Sequence, residues 1–126
     1  MKRKSILSIL LVLTLILSIS LSGCSKQADA PEGDGMKIAI VTSPNGVDDG
    51  SFNEDNYNGI LNFIETNPNA TVQAVREPTG DPAAAVQAVS DIVADYDVIV
   101  TPGFQFAGIS TVAAENPDKK FILIDT

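Results

Sequence analysis

Strand-like and helix-like segments alternate along this chain three and a half times with short connections, and this alternation constrains the fold more than any other feature. Met36 to Val41 (MKIAIV) is a short apolar run suited to a buried strand. Ser51 to Glu65 reads as a helix: Ser51 and Glu54 have capping-box spacing, and Tyr57, Ile60, Leu61 and Ile64 fall on one apolar stripe. Asn67-Pro68-Asn69 stops it. Thr71 to Val75 is a second, less apolar strand, expected nearer a sheet edge. Asp81-Pro82 starts the next helix as N-cap and first helical residue, with Ala85, Val86, Val89, Ile92 and Val93 as its buried face. Asp97 to Thr101 is a third strand, Gly108 to Glu115 a third helix, and Phe121 to Ile124 a fourth strand. Such alternation predicts an α/β fold: an open parallel sheet with helices on both faces. Right-handed crossovers then favour the strand order 2-1-3-4, with a switch point between strands one and three.

The first 24 residues have a different character. Lys2-Arg3-Lys4 precede an almost unbroken apolar run from Ile6 to Leu21, and Leu21-Ser22-Gly23-Cys24 follows at once. A positive end, an apolar middle and small residues at a cut form the layout of a secretory signal peptide. The run falls short of the ~20 residues that a spanning helix needs. The four-residue end resembles the lipobox of bacterial lipoproteins at all four positions. That likeness implies lipidation of Cys24, the only thiol in the chain. Several acyl chains there would give stable anchoring to the cell membrane on its extracytoplasmic face. The alternatives are a signal peptide without a lipid and an uncleaved anchor. Residues 24–35 (CSKQADAPEGDG) contain no large apolar side chain and read as a flexible tether. Three parts result: a signal peptide over 1–23, a tether over 24–35 and a folded part over 36–126.

Charge narrows the partners. The chain carries 8 Lys+Arg against 16 Asp+Glu, and the three bases at positions 2–4 belong to the signal segment. A mature part this acidic has no electrostatic case for nucleic acid, whose phosphates need Lys and Arg. With no His and one Cys, Ser-His and Cys-His nucleophile pairs, Cys/His zinc sites and an internal disulfide are all excluded.

Ligands of an open parallel sheet bind beyond the carboxyl ends of its strands, near the switch point. Four segments are expected there: Thr42 to Asn53 (TSPNGVDDGSFN), Arg76 to Asp81 (REPTGD), Thr101 to Phe106 (TPGFQF) and Asp125. The first is long for a connection of this type, which usually takes about 2–6 residues. Asp48, Asp49, Ser51 and Asn53 cluster in it around Phe52. A helix N-terminus, directional hydrogen-bonding side chains and a flat ring together suit a neutral polyhydroxylated or heteroaromatic ligand. The alternative is that the acids only complement the helix dipole and Phe52 is a staple residue. In the third segment Gly103 permits close approach of the backbone, and one of Phe104 and Phe106 is a candidate wall. The alternative is that both are core residues capping the sheet, the favoured reading for Phe106. Asp125 is either a cleft carboxylate able to accept two hydroxyl hydrogen bonds or a turn residue.

No Walker A motif, no G-x-G-x-x-G and no EF-hand loop is present; position six counted from Asp49 is Glu54, not Gly. Phosphoacceptor chemistry would want an Asp at the end of strand three, where Thr101-Pro102-Gly103 stands. A hydrolase using Asp48 or Asp49 remains open on residue types alone, but no acid-base pair is positioned by the sequence. No metal or cofactor is expected.

Taken in order, the lipobox, the tether, KIAIV, GVDDGSFN, DVIVTPGFQF and FILID resemble the basic membrane protein family from about Met36 to the last residue. Members are lipoproteins serving as substrate-binding components of ABC transporters, and the best understood bind purine nucleosides. The resemblance implies a two-lobed type I periplasmic-binding-protein fold of which this chain holds the first part of lobe one. It implies a small-molecule ligand, an ABC permease as partner and no catalysis. It implies that Phe52 stacks on a base with Asn53 beside it, that Gly103 and Phe104 line the cleft, and that Asp125 sits in the pocket, where it would hold ribose hydroxyls. The chain departs from the family at Ser43, where an Asp that contacts the base edge is usual. Ser can exchange one hydrogen bond but is not a charged acceptor. That departure admits a second reading, a signalling or interaction lipoprotein without a transport role. The sequence ends two residues after a strand with no helix to cover it, so it is expected to be the N-terminal part of a longer protein.

Overall fold

A computed structural model of the chain describes residues 35–125. The signal segment, Cys24 and the tether up to Asp34 lie outside the described residues. Strands β1 (Lys37–Thr42), β2 (Thr71–Arg76), β3 (Val98–Pro102) and β4 (Lys120–Ile124) alternate with helices α1 (Phe52–Thr66), α2 (Pro82–Ile92) and α3 (Ser110–Glu115). The sheet is parallel throughout, in the order β2-β1-β3-β4. Both the expected order and the expected edge position of β2 are found.

The two-residue period of the strands divides the core. Ala39, Val41 and Ile99 face one side, where they pack with Ala85, Val89 and Val93 and with Phe106, Ile109 and Val112. Ile38, Ile40 and Val100 face the other, against Tyr57 and Ile60 of α1. Helices on both faces follow from handedness. The step from β1 to β2 and the step from β2 to β3 run in opposite directions along the sheet, so right-handed crossovers must use opposite faces. The reversal leaves β1 and β3 adjacent with their following loops splayed apart, which opens the crevice.

Local signals succeed unevenly. Asp81 caps α2 as expected, its Oδ1 accepting from the backbone N–H of Ala83 at 2.9 Å and of Ala84 at 3.0 Å, with Pro82 at the first helical position. The predicted capping box at α1 is not what forms. Ser51 is the N-cap residue but makes no side-chain cap bond. Asp49, two residues earlier, takes that role, and the Glu54 carboxylate reaches back to the N–H of Gly50 at 2.8 Å rather than to Ser51. A carboxylate outcompetes a hydroxyl for these amides because its hydrogen bonds are charge-assisted.

The third helical region also differs from expectation. Phe104–Ile109 is a 3-10 segment, and only Ser110–Glu115 is α-helical. Gln105, Phe106 and Ile109 are its buried residues, and such tight winding is common where a loop leads into a helix. Val93, expected within α2, begins a 3-10 turn over Val93–Asp95 and remains buried. On α1, Leu61 stays 37% exposed, so the inward stripe is Tyr57, Ile60 and Ile64.

Between α1 and β4 an apolar depression of about 410 Å³ is bordered by Met36, Ile60, Phe63, Ile122 and Ile124. Nothing among the described residues covers it. Among those residues no helix is long and apolar enough to cross a membrane.

Candidate functional site

The carboxyl ends of β1 and β3 and the segments after them enclose an open depression of about 860 Å³. Ser43, Asp49, Ser51, Phe52 and Asn53 line it from the β1–α1 loop, Gly103 and Phe104 from the end of β3, and Asp125 from the end of β4. Eight of the nine residues singled out from the sequence thus share one concavity. Asp48 does not line it; its Oδ1 turns back over the tight turn in which the N–H of Gly46 donates to the carbonyl of Ser43 at 3.1 Å. Asn45, Gly80, Pro102 and Gln105 also line the depression and were not singled out. All but Pro102 are polar or glycine within segments assigned to this end of the sheet. No periodic or motif signal separated them from their neighbours.

The wall beside α1 is held by two polar arrangements. In the first, Asp49 Oδ1 accepts from the N–H of Ser51 at 3.0 Å and of Glu54 at 3.1 Å, and Oδ2 accepts from the N–H of Asn53 at 3.3 Å. These are free amides of a helix N-terminus, which would otherwise lack partners. Three amide bonds immobilise the Asp49 carboxylate, which is why its geometry is that of a cap and not of a free general base. In the second, the Nδ2 of Asn53, a residue only 4% exposed, donates to Ser43 Oγ at 3.0 Å. With that proton committed, Asn53 retains its Oδ1 acceptor and Ser43 its hydroxyl proton. A neighbouring donor and acceptor are therefore available to a guest.

Phe52, the first residue of α1, keeps its ring 40% exposed within the depression, beside the polar pair. Phe104 across the depression is 78% exposed, whereas Phe106, two residues on, is fully buried. The separation follows from the backbone. Gly103 adopts φ 111° and ψ 151°, a region essentially restricted to glycine, and a Cβ there would come within 2.5 Å of Gln105 Oε1. That turn points Phe104 outward and Phe106 inward. It is pinned to the sheet by Gly103 N–H donating to the Ile124 carbonyl at 2.8 Å. Asp125 has φ 58°, a left-handed conformation that Asp tolerates better than most residues.

Among the described residues the lining includes two carboxylates, Asp49 and Asp125, and neither Lys nor Arg. Behind the Gly80 stretch of the wall, Glu77 is also buried. Desolvation works against a charged Asp49, but the amides of Glu54, Ser51 and Asn53 outweigh it and hold the carboxyl below its ordinary value. For Glu77 the Thr79 hydroxyl is the main cause of a lowered value; desolvation opposes it, the amides of Thr79 and Gly80 assist, and the Asp81 charge opposes. Depressed folded-state values contribute stability that is complete above the unfolded values, about 3.9 and 4.3. It disappears as pH falls through the lowered ones. Acid unfolding followed by circular dichroism is therefore expected to begin below about pH 4. In Asp49→Asn part of that pH dependence should be missing; an unchanged acid profile in the variant would contradict the cap geometry.

This architecture, a four-stranded parallel α/β sheet in the order β2-β1-β3-β4 with a depression at its strand ends, is that of a solute-binding-protein fold. The chain belongs to the Bmp family of PnrA-like ABC transporter substrate-binding proteins, whose family pattern matches residues 36–126. It is 29% identical over 119 residues to the ABC transporter nucleoside-binding protein BmpA of Lactococcus lactis subsp. cremoris (strain MG1363), a match covering 84% of this chain and 32% of that protein. It is similar in structure to an ABC transporter solute-binding protein from Conexibacter woesei DSM 14684, with a TM-score of 0.58 and 27% identity, covering 69% of this chain and 28% of the other. The chain thus spans about a third of the length of the relatives it matches.

Proposed function

We propose that the protein is the extracytoplasmic receptor of an ABC importer and that its ligand is a nucleoside. The observation that carries this reading is the composition of one wall: an exposed Phe52 ring, the Ser43–Asn53 donor and acceptor, and the Asp125 carboxylate around one depression with no basic side chain among the described residues of its lining. A ring takes the face of a base, the polar pair takes its edge, and a carboxylate takes two sugar hydroxyls. The family and the printed description of BmpA support the same assignment.

Function is binding without bond change. The threefold greater length of the relatives supports a second lobe that supplies the opposite wall. The ligand then enters an open cleft, the lobes close about a hinge, and the closed form docks on the permease. Titration calorimetry on the full-length protein tests the ligand class. Adenosine, inosine or uridine should give a saturable heat. Their 5′-monophosphates should bind about tenfold or more weakly, because on this wall a phosphate meets two carboxylates and, among the described residues that line it, no cation. No heat with any nucleoside or small sugar would overturn the assignment.

Residues 1–24 support delivery by a signal peptide and retention through a lipid on Cys24. Cys24→Ala is expected to move the protein from the membrane fraction to the soluble extracytoplasmic fraction, with loss of labelling by a fatty-acid probe. A variant that still sediments with membranes and still carries the label would refute lipidation at this residue.

A further inference from the structure

At the carboxyl end of β2 an acidic side chain is buried outside the lining of the depression. Glu77 is 2% exposed and does not line the depression. Its own N–H donates to the Thr42 carbonyl at 2.9 Å, which ties it to the end of β1. Its carboxylate curls back into the loop that follows. Oε1 accepts from the Thr79 N–H at 2.8 Å and from the Thr79 hydroxyl at 2.6 Å, and Oε2 accepts from the Gly80 N–H at 2.5 Å. The Thr79 hydroxyl in turn accepts from the N–H of Asp81 at 3.1 Å. A buried charge is tolerated only when its lone pairs are satisfied, and here all the partners come from residues 79 and 80.

Gly80 is the one residue of this loop that lines the depression. It has φ +75°, and a Cβ built on it would stand 3.6 Å from Pro44 Cγ, so the loop sits against the segment that carries Ser43 and Asn45. The two oxygens of Glu77 divide the work: Oε1 holds Thr79 and through it the start of α2, while Oε2 holds Gly80 and the cleft wall.

We infer that Glu77 is a positioning residue for the ligand cleft, acting through its Oε2 bond to the Gly80 amide. The inference rests on the nucleoside-receptor reading only for the choice of ligand. Wall residues held in place before the guest arrives spare the complex the cost of ordering them. Removing the Oε2 bond therefore weakens binding more than it weakens the fold.

Two variants of the full-length protein separate the oxygens. Glu77→Gln keeps one carbonyl oxygen. When that oxygen stays with the two donors of Thr79, the amide nitrogen faces the Gly80 N–H as donor against donor. Thr79→Val removes the hydroxyl bonds and leaves the Gly80 bond in place. Amide hydrogen exchange at Gly80, thermal denaturation and calorimetry with inosine are measured for each. Glu77→Gln is expected to speed Gly80 exchange at least tenfold and to weaken inosine binding about tenfold, with a melting temperature at or above that of Thr79→Val. Thr79→Val is expected to lower the melting temperature while keeping inosine affinity within about twofold of the unaltered protein. Thr79→Ser, which retains the hydroxyl, should restore the melting temperature.

Unchanged Gly80 exchange in Glu77→Gln would overturn the inference, as would equal losses of affinity in Glu77→Gln and Thr79→Val. If the unaltered protein binds no nucleoside, the receptor reading fails. Gly80 exchange, compared between the two variants, then decides the positioning role by itself.

Discussion

Phe106→Ala is expected to destabilise the protein by about 3–5 kcal/mol, the cost of emptying a fully buried aromatic site. Phe106 has no solvent exposure and is the largest side chain of the core on the α2 face, packed among Ala85, Val89, Ile109 and Val112. The 3-10 winding around it leaves little freedom for the site to collapse. Domains are stable by only about 5–15 kcal/mol, so this loss is a large fraction of the total. The urea midpoint should fall steeply with little change of slope. Phe106→Leu, which refills most of the volume, should recover the greater part. A midpoint shift of only a few tenths of a molar in Phe106→Ala would mean that the ring does not hold the core as its burial indicates.

The contrast between Phe106 and its neighbour shows what was legible in the sequence. Alternating strands and helices placed four segments at one end of a sheet, and handedness put those ends together; both inferences use only periodicity and chain direction. Residue type leaves Phe104 and Phe106 open as wall or core, with core favoured for Phe106, and their burial separates them: Phe106 is enclosed and Phe104 exposed. Local polar chemistry was less legible. Ser51 and Glu54 had the spacing of a capping box, yet Asp49 captures the amides, because its position relative to the helix is set by the turn at Gly46 and not by spacing. Asp48 and Asp49 are identical in type and adjacent, and only the backbone decides which one faces the depression. Glu77 gave no signal, since its burial depends on a loop that folds over it and on pairing with β1. Gly80 and Gln105 belong to the same category: membership of the right segment was readable, orientation was not.

Phe52→Ala is expected to weaken nucleoside binding by about 1–3 kcal/mol, the range for removing one stacked ring from a base, or roughly five- to 150-fold in affinity. The fold should notice little, because the ring is 40% exposed and belongs to neither core cluster. Its backbone position is set by others: the Asp49 carboxylate binds the amides on either side of it, at Ser51 and Asn53. The expected signature is thus a loss of affinity with a melting temperature almost unmoved, opposite in kind to Phe106→Ala. Phe52→Tyr and Phe52→Trp retain a flat face and should keep most of the affinity, whereas Phe52→Leu, similar in apolar character but not planar, should behave more like Ala. That ordering separates stacking from simple burial of apolar area, which would rank Leu close to Phe. Calorimetry on the four variants with inosine decides between them. Affinity that tracks side-chain size instead of planarity would assign Phe52 to the wall of the depression and remove the base-stacking role from it.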